Sequence, residues 1–296
     1  MDDVVPEVSV VIPTHNRAVE LIRAMHSAVA QVGVEHLEVI VVDDCSSDGT
    51  RPAVQAFADS RVRYFRFETN RGGCAARNLG IERARAPVIA FLDDDDEWLS
   101  NKLERQLPLL ETYDAALCGF YVGRSGRADI VHTNEVRLSH LRKRSPAPTS
   151  ALIGKTGVLR QLRFDESLSN GQEWDLYMRL LEGHRIGYVS APLFFLDVDR
   201  EDSITAAAKA VTVADIGKRM MAVNKHRARL GPYWHRYRYA AHLLMYFRHR
   251  NDRMVRLKEA WRKSGLLASA HVLCDRALRR LTSKLSLGRR VVRKEV

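Results

Sequence analysis

The sequence predicts an α/β fold, a mixed β-sheet flanked by helices, followed by an α-helical C-terminal extension. Through the first hundred residues, short apolar runs alternate with segments of helical periodicity, which is typical of parallel sheets. Further strands follow up to about residue 200, and from Thr205 onward only helical periodicity remains. We therefore predict two domains, residues 1–204 and residues 205–296.

The predicted strands are apolar, largely β-branched runs that end at turns. The first four are Val8–Ile12, Leu37–Val42, Val62–Phe67 and Val88–Leu92. A helix at Arg17–Ala30 follows the first strand, and another follows the Gly72-Gly73 loop and ends near Ala84. The second half adds strands at Ala115–Val122, Ser150–Ile153, Ile186–Val189 and Leu193–Leu196, and a helix at Glu173–Glu182.

Composition indicates a globular protein of the reducing cytoplasm. A hydrophobic content of 46% is sufficient for a core. The first residues, Met1-Asp2-Asp3, are acidic, unlike a secretory signal, and no apolar run approaches the ~18 residues that span a bilayer. The four cysteines have neither a metal-ligand spacing nor that of a disulfide framework; they are Cys45, Cys74, Cys118 and Cys274.

The net charge of +11 is divided unevenly along the chain. Residues 1–204 hold 24 Lys and Arg against 31 Asp and Glu, whereas residues 205–296 hold 23 against 5. A strongly basic last third indicates an anionic partner for that part of the chain.

Four consecutive carboxylates, Asp93–Asp96, directly follow the predicted strand Val88–Leu92. Because like charges this close repel one another, at least one carboxyl stays protonated unless a cation offsets the others. A hard divalent cation with oxygen ligands, which also bridges substrate phosphates, is the expected counter-charge. The alternative interpretation is a solvated acidic turn that caps the next helix.

Other polar residues are predicted at the same edge, because the carboxyl ends of parallel strands meet there and ligands bind beyond them. They are Thr14, Asn16, Asp43 and Asp44 after the first two strands, and Arg71 and Arg77 on the loop and helix before the fourth. Carboxylates suit a metal ion and a ribose, and arginines suit phosphate. The set predicts a site for a nucleotide diphosphate.

Five ordered blocks, covering roughly residues 7–200, resemble glycosyltransferase family 2, whose members have the GT-A fold. The blocks are Val8–Arg17, Val39–Thr50, Asn70–Gly73 with Ala76–Asn78, Phe91–Asp96, and Phe164–Leu168 running into Gln172–Leu180. The resemblance implies an inverting, metal-dependent transfer of a sugar from a nucleotide-diphosphate donor, with UDP the expected nucleotide. It also implies a saccharide or lipid-linked saccharide acceptor, in the synthesis of cell-surface polysaccharide.

The resemblance assigns residues to the nucleotide sugar. The turn with Pro13 and Thr14 and the second aspartate after the second strand, Asp44, correspond to contacts with uracil and ribose, and Asn16 and Asp43 are their neighbours. Three arginines correspond to contacts with the diphosphate and ribose: Arg71, Arg77 and Arg200. The alternative for Arg77 is a salt bridge to a helix neighbour.

The family's Asp-x-Asp motif is present as Asp93-Asp94-Asp95. The resemblance implies that Asp95 binds Mn²⁺ or Mg²⁺. Asp94 is the second candidate ligand and lies next to the ribose or a metal-bound water, and Asp93 supports the strand end beside the donor. The expected role of the metal ion is to neutralise the departing diphosphate.

An inverting transfer also needs a carboxylate that accepts the proton of the acceptor hydroxyl. Where the family has Glu-Asp or Gln-Asp, this sequence has Gln172-Glu173, so Glu173 is the expected base and Asp175 the alternative. The two side chains point to different faces of a helix, so they cannot both reach one substrate. The other interpretation of Glu173 is a charge that stabilises the helix N-terminus.

The basic C-terminal extension lies outside the resemblance and contains two apolar stripes. The first comprises Trp234, Tyr237, Ala241 and Leu244, and the second Leu266, Ala270, Leu273, Ala277, Leu281 and Leu285. One interpretation is packed helices with solvated basic faces. The other is a helix on an anionic membrane, which would place the protein at the inner face of the cell membrane.

Two other classes of protein remain as alternatives. A sugar nucleotidyltransferase would share the sheet and the metal ion but needs a Gly-rich phosphate loop where this chain has Pro13–Asn16. The second alternative is a protein without transfer activity that binds nucleic acid or membrane through the basic extension. No RNA-binding motif or zinc finger is present and the first domain is acidic, so we predict no nucleic-acid partner.

Overall fold

Strands of the first two hundred residues form one mixed sheet in the computed structural model, which describes residues 5–124, 126–198, 212–213, 215–245 and 252–291, with side chains described up to residue 278. The strands are β1 Val8–Thr14, β2 Leu37–Asp43, β3 Val62–Arg66, β4 Val88–Phe91, β5 Glu97–Trp98, β6 Ala115–Val122, β7 Arg127–Asp129, β8 Glu135–Val136, β9 Ile153–Lys155 and β10 Ile186–Leu196. Their order is β3-β2-β1-β4-β9-β6-β10-β5, with β7 paired to β6 and β8 to β10. β1 to β4 are parallel, whereas β9 is antiparallel to both of its neighbours, which confirms a mixed sheet.

Helices connect these strands. They are α1 Ala18–Val29, α2 Thr50–Ala56, α3 Gly73–Arg83, α4 Lys102–Gln106, α5 Leu138–Lys143, α6 Thr156–Leu162 and α7 Gln172–Leu180, with 3₁₀ turns at Leu107–Glu111 and Thr149–Ala151. Every residue of β1 and β2 is buried, as expected for central parallel strands covered on both faces. At Gly80 of α3, an added Cβ would lie 2.2 Å from Cγ1 of Val11, so only glycine permits this close approach of helix and strand.

The structure corrects two of the predicted strands. Residues 149–151 form a 3₁₀ turn, and the strand predicted at Ser150–Ile153 runs instead over Ile153–Lys155. The two strands predicted at Ile186–Val189 and Leu193–Leu196 are one continuous strand, β10. A register shift between Val189 and Pro192 accommodates the proline, so the strand bends and continues.

The chain divides into two compact units. The first comprises residues 1–141, 145–168 and 172–197 and contains the whole sheet. The second comprises residues 142–144, 169–171 and 198–296. The predicted boundary at residue 204 stays a prediction, since residues 199–211 lie outside the described part of the chain.

The second unit is helical wherever it is regular among its described residues. Its helices are α8 Ile216–Arg219, α9 Met221–Lys225, α10 Arg227–Leu243, α11 Arg253–Ser264 and α12 Leu266–Val291. Gly231, with φ of 73°, interrupts α10 just before Pro232. Tyr237 and Leu244 of the first apolar stripe are buried. Among the described helices, none has both the length and the apolarity to cross a bilayer.

Candidate functional site

The ends of β2, β1 and β4 lie side by side and bring the predicted polar residues to one edge of the sheet. Thr14, the last residue of β1, is in register with Asp43, the last residue of β2, and Pro13 pairs with Val42. On the other side of β1, the N–H of Leu92 donates to the carbonyl of Val11 at 3.0 Å. The acidic residues that follow Leu92 therefore emerge next to the end of β1.

Asp43 is fully buried and its carboxylate is used within the protein. One oxygen accepts the backbone N–H of Ser46 at 2.7 Å, and the other accepts the hydroxyl of Tyr64. The guanidinium of Arg66 lies 3.7 Å away. These contacts shape the turn after β2 and give Asp43 a supporting position beneath the site.

Asp44 holds the loop before α3. Its carboxylate accepts the backbone N–H groups of Arg71 at 2.6 Å and Gly72 at 2.7 Å. Gly72 has φ of 86°, a conformation that glycine adopts without strain and that turns the loop into α3. Asp44 is almost completely buried, so the second and third predicted blocks meet through this carboxylate.

Asn16 joins the turn after β1 to the turn after β2. Its backbone N–H donates to Oγ of Ser46 at 2.9 Å, and its Oδ1 accepts the N–H of Ser47 at 2.7 Å. Asn16 has φ of 55°, which asparagine tolerates better than most residues. The two turns are thus held as one wall next to Thr14.

The four consecutive aspartates have different partners. Asp93 accepts a bond from Nη2 of Arg77 at 2.5 Å. One nitrogen of Arg17, Nη1, bridges the next two, lying 2.9 Å from Oδ1 of Asp94 and 2.8 Å from Oδ2 of Asp95.

Asp96 lies deepest and has a structural role. It is 1% exposed, and its carboxylate accepts the hydroxyl of Ser150 at 2.5 Å and the backbone N–H of Asp197 at 3.0 Å. Ser150 in turn accepts the N–H of Asp93 at 3.0 Å. Asp96 therefore fixes the acidic segment against two distant parts of the same unit.

The acidic cluster carries more negative charge than its neighbours offset. Burial raises the pKa of Asp94, although Arg17 acts in the opposite direction. Burial, followed by the charges of Asp93 and Asp94, raises the pKa of Asp95 to about 7. Burial, followed by the charges of Asp95 and Asp93, raises the pKa of Asp96 well above its usual value. Such a site favours an added cation.

The donor set fits a divalent ion that shares its coordination with a substrate. No group of three or more His, Cys, Asp or Glu side chains is arranged around a common metal position within the described residues. Asp94 and Asp95 offer carboxylate oxygens at the edge of the sheet, and Mg²⁺ is commonly held by one or two carboxylates plus substrate phosphates. The residues present therefore suit a metal ion that arrives with a diphosphate.

Two arginines lie beside the cluster. Arg77 on α3 is largely buried, stacks over Phe164 at 5.6 Å and reaches Oε1 of Gln172 at 3.4 Å. Arg71 is half exposed, lies over Phe67 at 4.8 Å, and its guanidinium is 3.6 Å from Glu166.

Asn78 connects α3 to the fifth predicted block. Its side-chain amide exchanges two hydrogen bonds with the backbone of Phe164, donating at 2.9 Å and accepting at 2.8 Å. It also donates to Glu166 at 2.9 Å. These bonds bring the segment before α7 to the same side of the sheet as the acidic cluster.

The two candidate bases on α7 occupy different environments. Asp175 is completely buried and accepts bonds from Nε (2.9 Å) and Nη2 (2.8 Å) of Arg179. Glu173 is partly exposed, and its negative charge raises the pKa of both Arg77 and Tyr177. Burial has the larger effect on each: it acts to lower the pKa of Arg77 and to raise the pKa of Tyr177. Of the two carboxylates, Glu173 is the one that solvent reaches.

Arg17 is the functional candidate that sequence reasoning missed. It stands in the first block, directly after Asn16, and an arginine three residues beyond a strand end could have been paired with the acidic cluster at the neighbouring strand end. Ser150 carried no such signal, because it is 54 residues from Asp96. Arg200, predicted as a phosphate contact, lies outside the described residues.

Comparisons with known proteins identify the family of the chain. The family described as Glycosyl transferase family 2 matches residues 9–165, which is more than half of the chain. The succinoglycan biosynthesis protein ExoO of Rhizobium meliloti is 46% identical over 114 residues, covering 38% of this chain and 32% of that protein. WfgD of Escherichia coli, a UDP-Glc:alpha-D-GlcNAc-diphosphoundecaprenol beta-1,3-glucosyltransferase, is 41% identical over 110 residues, covering 37% and 42%. The matched segments thus span less than half the length of these relatives.

Solved structures share the fold. Residues 1–349 of Staphylococcus aureus TarS in complex with UDP-GlcNAc superpose with a TM-score of 0.61 at 20% identity, covering 90% of this chain and 71% of that chain. Mannosyltransferase PcManGT from Pyrobaculum calidifontis, in complex with GDP-Man and Mn²⁺, gives 0.59 at 18% identity, covering 93% and 81%. These similarities confirm the expected GT-A architecture. With the family match over residues 9–165, they lead to one conclusion: the chain belongs to glycosyl transferase family 2.

Proposed function

We propose that this protein transfers a sugar, with inversion, from a nucleotide-diphosphate donor to a saccharide or lipid-linked saccharide during polysaccharide synthesis. The observation that carries the proposal is the carboxylate pair Asp94 and Asp95, which emerges beside the end of β1 and is bridged by Nη1 of Arg17. An acidic pair of one buried and one partly exposed carboxylate, at the carboxyl end of parallel strands, suits a cation and a diphosphate.

The turns after β1 and β2 line the proposed nucleotide pocket. Thr14 and Asn16 line one side, and Asp44 with the loop at Arg71 forms the other. UDP is the proposed nucleotide, with support from the names of WfgD and of the TarS complex, which both contain UDP-sugars. GDP-mannose in the PcManGT complex makes GDP-sugars the alternative to test.

Asp95, with Asp94 beside it, would hold Mn²⁺ or Mg²⁺, and the bound ion would supply positive charge to the departing diphosphate. Arg71 and Arg77 are the proposed further cations for the diphosphate. Arg77 is held by Asp93 within hydrogen-bond distance, and Arg71 is half exposed with its guanidinium 3.6 Å from Glu166. A preorganised set of positive groups lowers the cost of the charge that develops on the leaving oxygen.

Glu173 is the proposed general base. Its carboxylate takes the proton of the acceptor hydroxyl while the hydroxyl oxygen attacks the anomeric carbon. The bond from that carbon to the diphosphate oxygen then breaks, and the nucleoside diphosphate leaves with the electron pair. Asp175 is less suited to this role because Arg179 holds it in the interior.

The proposed acceptor is lipid-linked, and the proposed location is the cytoplasm at the inner face of the cell membrane. The support is the name of WfgD, which acts on a diphosphoundecaprenol-linked sugar. The basic balance of residues 205–296 is consistent with work next to an anionic surface.

The test is a screen of UDP- and GDP-sugars for hydrolysis and for thermal stabilisation, with Mn²⁺, with Mg²⁺ and with chelator. The proposal expects one UDP-sugar to be hydrolysed to UDP in the presence of metal only. A sugar nucleotidyltransferase would instead form or consume nucleoside triphosphate and sugar phosphate. If no nucleotide sugar is bound or cleaved under any condition, the proposal is wrong.

A further inference from the structure

The exposed face of α12 is apolar, which is the reverse of an ordinary surface helix. The exposed residues of its described part are Leu266, Leu267, Ala270, Cys274, Ala277 and Leu278. Leu266 and Leu267 are 65% and 82% exposed. These positions repeat at helical spacing along about 18 Å of the helix axis. Three of the four described members of the second predicted apolar stripe thus face outward: Leu266, Ala270 and Ala277.

In the part of α12 whose side chains the structure describes, the polar residues turn inward instead. Asp275 accepts the hydroxyl of Tyr237 at 2.8 Å and lies 3.2 Å from Nζ of Lys143. Arg276 donates to the carbonyl oxygen of Ala241 at 2.9 Å. Buried polar groups with partners of this kind fix the rotation of the helix, so the apolar face is a stable feature of the unit.

The helix before it, α11, also carries exposed apolar side chains. α11 buries Arg256, Ala260 and Ser264 and joins α12 at Gly265, whose φ of 79° makes the corner. Its outward side chains include Met254, Val255 and Trp261, which are 59%, 59% and 45% exposed. Leucines 266 and 267 follow directly after this corner.

Cations surround the apolar corner. Lys258, Arg262 and Lys263 are exposed. The side chain of Asp252 is 37% exposed and pairs with Arg256 at 2.7 Å. Glu259 is partly covered and pairs with Arg262 at 2.6 Å. Downstream, the sequence adds five more basic residues before position 292: Arg279, Arg280, Lys284, Arg289 and Arg290.

We infer that the surface formed by Met254, Val255, Trp261, Leu266 and Leu267, with its exposed lysines and arginines, docks on an anionic lipid bilayer. Apolar side chains that enter the headgroup boundary, flanked by cations, are the combination that binds such membranes. A symmetric contact with a second copy would place the same cations opposite one another, which is unfavourable. The inference deepens the proposed function. It rests on that function only for the reason why the protein would dock, which is that a lipid-linked acceptor lies at a bilayer.

The test is sedimentation of the full chain with vesicles of phosphatidylcholine alone or with phosphatidylglycerol, at low and high salt. We expect binding only to the anionic vesicles, weakened by salt because the cations are exposed. The double substitution Leu266→Ser, Leu267→Ser should weaken binding by about tenfold or more, because two large apolar side chains no longer enter the bilayer. Serine is also accepted at the start of a helix, so α12 should remain folded.

Val19→Ser is the matched control, since Val19 is 81% exposed on α1 of the other unit and should leave vesicle binding unchanged. Equal binding of the double variant and the wild type would overturn the inference, as would binding that ignores lipid charge. A dimer that dissociates in the double variant without vesicles would assign the surface to a second copy and also overturn it. Duplex RNA binding that requires the two leucines would do the same.

Hydrolysis of the donor in solution separates this inference from the proposed function. The double variant and the wild type should hydrolyse the nucleotide sugar at the same rate without vesicles, because neither leucine is part of the catalytic site. Intact hydrolysis without vesicle binding refutes only the docking surface. Vesicle binding without any hydrolysis refutes only the proposed function.

Discussion

Four identical side chains in a row acquire different roles because their neighbours differ. Asp96 is held by Ser150 and cannot face a substrate, Asp93 is tied to Arg77, and Asp94 and Asp95 share Arg17. At this scale the chemistry is decided by which partner each carboxylate meets, and burial then sets how strongly each one needs a counter-charge.

The catalytic assignment predicts that Asp95→Ala and Glu173→Gln each lower sugar transfer by more than about a hundredfold, because one removes the proposed metal ligand and the other the base. Both should keep the wild-type melting temperature within a few degrees. The matched controls are Asp59→Ala, which affects a turn before β3, and Glu182→Gln, just beyond the end of α7. Near-normal turnover in either site variant would show that its role is misplaced.

The position of Arg17 between Asp94 and Asp95 predicts that its removal changes the affinity for metal ions, which can be measured without turnover. Arg17→Gln removes a positive charge within 3 Å of both Asp94 and Asp95, so these carboxylates should bind Mn²⁺ alone at least about fivefold more tightly by calorimetry. Arg23→Gln is the control, because Arg23 donates to the backbone carbonyl of Asp95 and not to its carboxylate. Unchanged or weaker Mn²⁺ binding in Arg17→Gln would contradict this picture.

The candidate site was predictable in outline because its residues follow strands whose ends must meet. Asp44 and Asp95 could be placed at one edge from the strand pattern alone. The position of Arg17 after β1 could have suggested a pairing with the acidic cluster, but not the individual contacts: Arg17 is 77 residues from Asp94, and a sequence pattern does not show which carboxylates a guanidinium reaches. The choice between Glu173 and Asp175 as the base also needed the structure, because it shows that an ion pair with Arg179 holds Asp175 in the interior.

At the scale of elements, long buried strands were predictable and short or bent ones were not. β1, β2 and β6 follow their apolar runs closely. β10 was read as two strands because the sequence carries Pro192 in its middle, whereas the sheet absorbs the proline at a register shift. β5, β7 and β8 are two or three residues long and carry no periodicity to detect.

The packing of α3 on β1 predicts that Gly80→Ala destabilises the fold by roughly 1–3 kcal/mol, because the new methyl group would overlap the side chain of Val11. Adding Val11→Ala should restore part of the loss by making room. The control is Gly157→Ala in α6, where an added Cβ meets nothing within 4 Å. Urea unfolding measures all four proteins. A neutral Gly80→Ala would mean that helix and strand separate at little cost.

Glu38 predicts how the stability of the central strands depends on pH. Burial acts to raise its pKa, but hydrogen bonds from Ser9 (2.7 Å), Arg63 (2.7 Å) and the backbone of Arg85 (2.8 Å) outweigh burial and lower it below the model-compound value of 4.5. A lowered folded pKa means that the ionised carboxylate stabilises the fold above about pH 4.5 and that this contribution disappears as pH falls through the folded pKa.

Glu38→Gln should therefore lower the free energy of unfolding by about 1–3 kcal/mol at pH 7, and the difference from wild type should shrink below pH 4.5. Urea unfolding between pH 3.5 and 8 gives both quantities, over a range chosen to span that value. Glu104→Gln, on an exposed position of α4, is the control and should show no such trend. A constant difference across this range would mean that folding does not shift the pKa of Glu38.

At the scale of the whole chain, charge and architecture divide in the same region of the sequence. The sheet and all the described candidate site residues belong to the first unit, whose sequence is acidic overall, whereas most of the second unit comes from the basic last third. The first unit has its own core of strands and helices. The second has its own buried residues as well, including Tyr237, Leu243 and Val272.

This division predicts that a chain ending at Ile204 folds by itself, because every described strand and every described site residue precedes position 198. We expect cooperative thermal unfolding, stabilisation by UDP with Mn²⁺, and loss of vesicle binding with the loss of α11 and α12. Asp95→Ala in the same fragment is the control and should remove the metal-dependent part of the stabilisation. A fragment that unfolds without cooperativity would show that the first unit needs residues beyond 204, and the predicted domain boundary would then be wrong.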